Sequence, residues 1–317
     1  MNILSDKAKR ECTSCQMCAA VCHQKAITIR LNEDGFYRPY VNTESCNDCG
    51  VCTTVCYKFD ESIKLTSEDE LKQKQLYAAW SLDNDVHANT TSGGIADVLA
   101  KELFDEGYRV VGVVYDTDKN IAKHQCVDSR DKLKLFRGSK YIQSYTIDGF
   151  REIVCNCRKE KYAVFGTPCQ IYAIDRMATR RDVRDHFVLI DIYCHGCPSM
   201  LLWNKYKEKI SNTTGIASWE SVQFRSKKKG WGNYIFEIKA DNGQTLYESN
   251  GQKDAFYELF FSDMILNDAC YDCQSRSTLE YTDIRLGDFW GPKYLGLRKG
   301  VSAVAIATGW GGYYLAS

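Results

Sequence analysis

A small α+β unit followed by a larger mixed α/β domain is the fold class that this 317-residue sequence predicts. Three observations predict it. Two copies of one four-cysteine run fall within the first 56 residues. Behind them, short Val- and Ile-rich runs alternate with segments of helical periodicity. Two of those runs end in a cysteine-bearing loop that opens a helix, the strand–loop–helix order of α/β folds. Composition agrees. There are 16 cysteines, 41 basic and 41 acidic residues, and 44% of the chain is apolar. A chain of this length and apolar content can bury a real core, in about two or three domains. Balanced charge offers no basic field to nucleic acid. No apolar run follows the basic residues near the start, and none approaches the ~20 residues that span a bilayer. The expectation is a cytoplasmic protein with no membrane span. Its clustered cysteines then read as metal ligands rather than disulfides.

The first run is Cys12-x2-Cys15-x2-Cys18-x3-Cys22, and the second is Cys46-x2-Cys49-x2-Cys52-x3-Cys56. This is the spacing of bacterial two-cluster ferredoxins, where the fourth cysteine ligates the other cluster. Crossing assigns Cys12, Cys15, Cys18 and Cys56 to one [4Fe-4S] cluster. It assigns Cys46, Cys49, Cys52 and Cys22 to the second. His23 and Tyr57 stand where proline usually ends each run. Between the runs, residues 26–29 alternate and Asp34-Gly35 turns, which predicts a hairpin. Residues 1–62 are therefore expected to form a bacterial-type 2[4Fe-4S] ferredoxin domain. A pair of zinc knuckles is the rival, disfavoured because zinc takes its ligands as Cys-x2-Cys pairs.

Residues 63–76 are polar and charged and read as a linker. A strand is expected at 76–80, then a helix whose Ile95, Val98, Leu99 and Leu103 share one face. Ser92 is placed to cap it, and Gly93 and Gly94 would let backbone approach a phosphate at the helix start. An ordinary capped surface helix explains that segment equally well. A strand at 110–115 follows, then a loop with Arg137, Gly138, Ser139, Lys140 and Tyr141, suited to a second phosphate or to plain surface.

A buried strand at 162–165 leads into Gly166-Thr167-Pro168-Cys169-Gln170 and a helix at 171–179. Another at 187–193 leads into Cys194-His195-Gly196-Cys197 and a helix at 200–210. Both cysteine loops lie at strand C-termini, where open α/β sheets bind ligands. A helical stretch at 255–266 precedes Cys270-x2-Cys273, and a strand then carries Gly287-Asp288-Phe289-Trp290-Gly291. Spacing leaves four readings open. Cys169, Cys194, Cys270 and Cys273 form a third cluster, with Cys197 able to replace one of them. Cys194 and Cys197 form a redox dithiol. Those two with Cys270 and Cys273 hold zinc. Cys169 is a catalytic thiol. Cys126, Cys155 and Cys157 lack ligand spacing.

In this order, Ser92-Gly93-Gly94, Gly138-Ser139-Lys140-Tyr141, Gly166-Thr167-Pro168-Cys169-Gln170, Cys194-His195-Gly196, Cys270-x2-Cys273 and Gly287-Asp288-Phe289-Trp290-Gly291 resemble the coenzyme F420 hydrogenase/dehydrogenase beta-subunit family. The resemblance is to the branch with an N-terminal two-cluster ferredoxin domain, and it covers residues 10–310. It implies a mixed α/β flavin-binding domain after the ferredoxin domain. Residues 77–155 would be its N-terminal region and 156–317 its C-terminal region, carrying the third cluster. It implies FAD as a cofactor, Ser92, Gly93, Gly94, Ser139, Lys140 and Tyr141 as flavin contacts, and Cys169, Cys194, Cys270 and Cys273 as the third ligand set. Cys197 stands where the family often has an apolar residue and is left without a role. Arg225, Lys228 and Trp231 face the flavin or its substrate, or belong to a basic surface loop. The implied function is an iron–sulfur flavoprotein oxidoreductase. It would pass electrons between ferredoxin-type clusters, FAD and a deazaflavin or other organic acceptor. The alternative is a non-catalytic electron-transfer subunit of a larger complex, in a setting such as polysaccharide synthesis. Partners would be a redox protein or small electron carrier and other oxidoreductase subunits. No residue reads as a general acid. Members of the family continue past the segment after 301–307 with a further helix, so the last strand is expected to lack cover.

Overall fold

The computed structural model describes residues 1–216, 219–294 and 296–316. The N-terminal unit is built on the hairpin β1 (Ile27–Leu31) and β2 (Tyr37–Val41), antiparallel with Ile27 opposite Val41. Asn32 turns it: its side-chain oxygen accepts from the Phe36 N–H at 2.8 Å, across the loop. Each cysteine run wraps into a loop and then one short helix, Met17–Ala20 or Val51–Thr54. Both helices start from a left-handed residue, Gln16 (φ 64) and Gly50 (φ 80). The two halves thus repeat in backbone as in sequence.

The remaining strands are β3 (Gln75–Ala79), β4 (Arg109–Asp116), β5 (Ile121–Cys126), β6 (Ser144–Tyr145), β7 (Tyr162–Phe165), β8 (Phe187–Ile192), β9 (Ser221–Ser226), β10 (Ile235–Lys239), β11 (Thr245–Glu248), β12 (Ile284–Asp288) and β13 (Ser302–Ile306). One eight-stranded mixed sheet runs β3-β13-β12-β8-β7-β4-β5-β6. Its centre, β12-β8-β7-β4, is parallel, while β13 is antiparallel to both neighbours and β5 is antiparallel to β4. A separate antiparallel sheet has the order β11-β10-β9.

The central strands are apolar on both faces, as parallel strands covered by helices must be. On one face, Val110, Ala163, Val188 and Ile190 meet Ile95, Leu99 and Leu103 of the helix Ile95–Asp105. On the other, Val111, Val164 and Leu189 meet Phe150 and Ile153 of the helix Ile147–Asn156, and Ile171, Ile174 and Met177 of the helix Pro168–Arg180. Met17, Val21, Val55 and Tyr57 of the N-terminal unit belong to that second core. The ferredoxin-like unit is therefore seated on the helix that begins at Cys169, sharing its hydrophobic burial. Trp203, Phe224, Phe236 and Phe256 form a third core between the helix Met200–Thr214 and the small sheet.

Three expectations change. The linker 63–76 contains a helix, Glu68–Gln73, closed by a reciprocal capping box between Ser67 and Glu70. The stretch 255–266 is helical only over Ala255–Phe261, and Asp263 beyond it takes a left-handed φ of 62. Residues after β13 form a helix, Gly309–Ala316, with Gly311 pressed on Asp283 and Ile306, so the last strand is not bare. Regions 77–155 and 156–317 share one sheet, which takes strands from both.

Candidate functional site

The fold gathers the first eight cysteines into two neighbouring groups. Cys12, Cys15, Cys18 and Cys56 line one small cavity beneath Ile3 and Ile29. Burial first, then the charges of Cys15 and Cys12, pushes the Cys56 thiol up strongly. Burial likewise raises Cys15 to about 11. Cys52 is raised by burial, with Cys22 and Cys49 adding to it. Cys22 thus faces the second run and Cys56 the first. Cys18 also feels Cys52, so the two sets are neighbours. Cys49 is exposed, which makes its set the solvent-facing end of the series.

The four later cysteines come together from three segments. Cys169 opens the helix after β7, Cys194 follows β8, and Cys270 and Cys273 follow a short helix, Asp268–Tyr271. Burial pushes Cys194 up to about 12, with Cys270 and Cys273 contributing. Cys169 is raised by burial, then by Cys273, Cys15 and Cys194. Cys15 belongs to the first ferredoxin set, so the third set abuts it. Hydrogen bonds fix that approach. Thr146 Oγ1 donates to the Cys15 carbonyl at 2.9 Å, and Gln170, next to Cys169, donates to Ser144 Oγ at 3.0 Å.

Two further devices hold the third set. Arg285 on β12 pairs bidentately with Asp191 on β8, at 2.8 and 2.6 Å, both buried. The same guanidinium donates to the carbonyls of Ser275, Arg276 and Thr278. It thereby ties the loop after Cys273 to the strand that ends at Cys194. Tyr57, the residue in proline's place, accepts from the Gln274 N–H at 2.9 Å and donates to the Asp272 carbonyl at 3.4 Å. The departure from the usual ferredoxin run thus serves a contact to the third set.

The donor chemistry fits clusters. Each set is four thiols, the usual ligand set of a [4Fe-4S] group. Among the described residues, no three His, Cys, Asp or Glu side chains close around one point as a single ion requires. The raised thiols show what metal must do on binding, which is to displace their protons.

Beyond the third set lies a cationic, aromatic cluster. Tyr193, beside Cys194, packs on Gly287, where a Cβ would come within 2.6 Å of its ring. Next on β12, Asp288 pairs with Arg225 and accepts from Trp231 Nε1 at 2.8 Å. Trp231 stacks on Trp290 at 4.1 Å, and Arg225 lies over Tyr234 at 4.2 Å. Arg225 is buried and its Nε has no partner. Lys227 donates to the carbonyls of His87 and Ser92. Burial first, with the Arg225 charge adding to it, drops its ammonium to about 7. Tyr141 reaches Arg225 at 3.5 Å, and its ring meets Phe260 at 5.2 Å. Phe260 in turn lies 5.0 Å from His195, the neighbour of Cys194.

The residues expected to touch flavin are brought together here, but with other duties. The Ser139 N–H donates to Thr91 Oγ1 at 2.9 Å, joining the two loops. Ser92 is not the helix cap; Gly94 is, at φ 85. The Ser92 hydroxyl donates to the Val301 carbonyl at 2.5 Å instead. Gly93 is fixed by packing, since a Cβ would stand 2.2 Å from the Ala79 carbonyl oxygen. Lys140 turns to the carbonyls of Leu135, Phe136 and Arg137, and burial brings it to about 7. Arg225 and Trp231 belong to the cluster, whereas Lys228 pairs with Glu248 at 3.1 Å. Lys227 was missed. It stands in a run of three lysines, and nothing in sequence singles out the inward one.

A central parallel sheet, a ferredoxin-like unit and three cysteine sets in contact define an iron–sulfur protein of the oxidoreductase electron-transfer class. The comparisons are specific. Residues 11–58 match the 4Fe-4S dicluster domain. Residues 76–148 and 159–316 match the N-terminal and C-terminal models of the coenzyme F420 hydrogenase/dehydrogenase beta subunit. The chain belongs to that family. Its fold is similar to a chain in a xenon-derivatised structure of the F420-reducing [NiFe] hydrogenase complex from Methanosarcina barkeri. The TM-score is 0.52 at 18% identity, over 81% of this chain and 80% of that one. No curated protein matches it in sequence. Among the described residues, no helix is long and apolar enough to cross a membrane.

Proposed function

We propose that the chain is an iron–sulfur flavoprotein oxidoreductase. It would hold three [4Fe-4S] clusters on Cys12/Cys15/Cys18/Cys56, Cys46/Cys49/Cys52/Cys22 and Cys169/Cys194/Cys270/Cys273, with FAD at Arg225 and Lys227. The observation that carries this is the series itself: the second set next to the first, the first next to the third, and the third next to a cationic aromatic cluster. With these groups bound, the clusters would supply one-electron carriers and the flavin a carrier of electron pairs. The protein's part is placement. Arg285 and Tyr57 hold the third set against the first. Arg225, with an unpartnered Nε, and Lys227 offer positive charge to a diphosphate, while Trp290, exposed at the edge of the cluster, offers a stacking face. The organic acceptor, a deazaflavin or another, would approach there. The test is an anaerobic preparation with iron, sulfide, zinc and flavin counted on one sample. About twelve irons and one FAD per chain are expected. Zinc in place of iron, or no flavin, refutes the reading.

FAD binding is expected to take up a proton at pH 8. Free Lys227 is mostly neutral above about 7, and an anion at its side favours the charged form. Affinity should then fall by about tenfold per pH unit above that point. Calorimetry in two buffers of different ionisation heat reads the uptake, and equal heats would exclude Lys227 from the contact.

A second reading, a subunit that hands electrons to a separate catalytic partner, draws on the structural neighbour's place in a complex. Turnover of an organic acceptor by the isolated chain separates the two.

A further inference from the structure

The third set has a fifth thiol beside it. The Cys197 N–H donates to Cys270 Sγ at 3.3 Å, so the two residues are in direct contact. The charges that Cys197 faces are those of Cys270 and Cys194, and of Arg38 from β2. Its backbone is held on the cysteine loop. The Cys197 carbonyl accepts from the Asn267 N–H at 2.9 Å, and Pro198 bridges Leu266. Asn267 is itself buried, and caps the helix that carries Cys270 through a 3.2 Å bond to the Ala269 N–H. Gly196 beside it packs on Leu266. Cys197 and Cys270 thus move as one piece.

We propose that Cys197 is a reserve ligand of the third cluster, able to take the place of Cys270. The proposal rests on the third set holding a cluster. The exchange is a substitution without redox change. One iron–sulfur bond to Cys270 breaks and one to Cys197 forms, and the Cys197 thiol proton ends on the released Cys270 sulfur. No electron is gained or lost. The two segments are already joined, because the Cys197 N–H donates to the sulfur that its own side chain would replace, and only that side chain has to turn. Arg38 opposite offers positive charge to whichever sulfur is ionised. A cluster with a reserve ligand survives transient loss of one bond, which is the first step of its breakdown.

The test counts iron in anaerobically reconstituted protein, with low-temperature EPR of the reduced third cluster. Wild type, Cys197→Ala and Cys270→Ala should each keep about twelve irons, and Cys197→Ala/Cys270→Ala about eight. Iron lost already in either single variant, or retained in the double variant, overturns the reserve role. A wild-type count of about eight instead refutes the third cluster itself, so the two failures are distinguishable. Should the Cys270 variants not fold, chelator challenge of wild type and Cys197→Ala decides. Several-fold faster iron release without Cys197 is expected, and equal rates overturn the proposal.

Discussion

Arg285→Met should lower the denaturant midpoint of the protein sharply, by an equivalent of about 3–5 kcal/mol. The guanidinium is buried between β12 and β8, paired with Asp191 at 2.6 Å and donating to three carbonyls of residues 275–278. Methionine fills much of the volume but leaves the buried Asp191 carboxyl, which burial already raises to about 6, without its partner. Removing one member of a buried pair costs far more than the pair itself is worth, because desolvation of the survivor is no longer offset. The loop after Cys273 loses its anchor at the same time, so the variant should also carry about four fewer irons. Urea titration and an iron count on the same preparation check both. An unchanged midpoint would mean that water enters and solvates Asp191. Asp191→Asn/Arg285→Met should recover part of the loss, since the amide needs no counter-charge.

Cys169→Ala is the second large effect. Cys169 is the member of the third set that faces Cys15 of the first ferredoxin set. Its loss should reduce iron from about twelve to about eight per chain while both ferredoxin clusters persist. The expected signature is a split. Dithionite still bleaches the ferredoxin clusters at the wild-type rate, but electrons supplied there no longer reach bound flavin on the same timescale. Stopped-flow absorbance reads the two events separately. Flavin reduction at the wild-type rate in this variant would show that the third set is not on the route.

The cysteine chemistry was the legible part of the sequence, because ligand spacing is a local property. The two runs, the hairpin between them and the cysteine loops after β7 and β8 all depend on residues close in the chain. Contacts between distant segments were not legible. Arg285 and Asp191 lie 94 positions apart, and neither carries a mark in sequence. Tyr57 read only as a missing proline, although its hydroxyl reaches the third set. The glycines at 93 and 94 signalled close backbone approach correctly but not what approaches. At Gly93 it is the Ala79 carbonyl. The small sheet β9–β11 was hidden by charge, since Glu237 is buried on β10 amid Lys228 and Lys239. The helix at Glu68–Gln73 had its capping box in plain sight at Ser67 and Glu70, masked by the polar composition around it.

The place of β3 bears on how the protein is made. Among the described residues this strand pairs with β13 alone, residue 79 with 302 and residue 75 with 306. A chain leaving the ribosome therefore carries β3 unpaired until β13, far behind it, has emerged. The cysteines of the two ferredoxin sets have all emerged by Cys56, long before Cys270 and Cys273. Translation order would thus give cluster insertion two separate occasions. The first would meet an N-terminal unit that has yet to seat on the helix Pro168–Arg180, and the second a sheet that has yet to close.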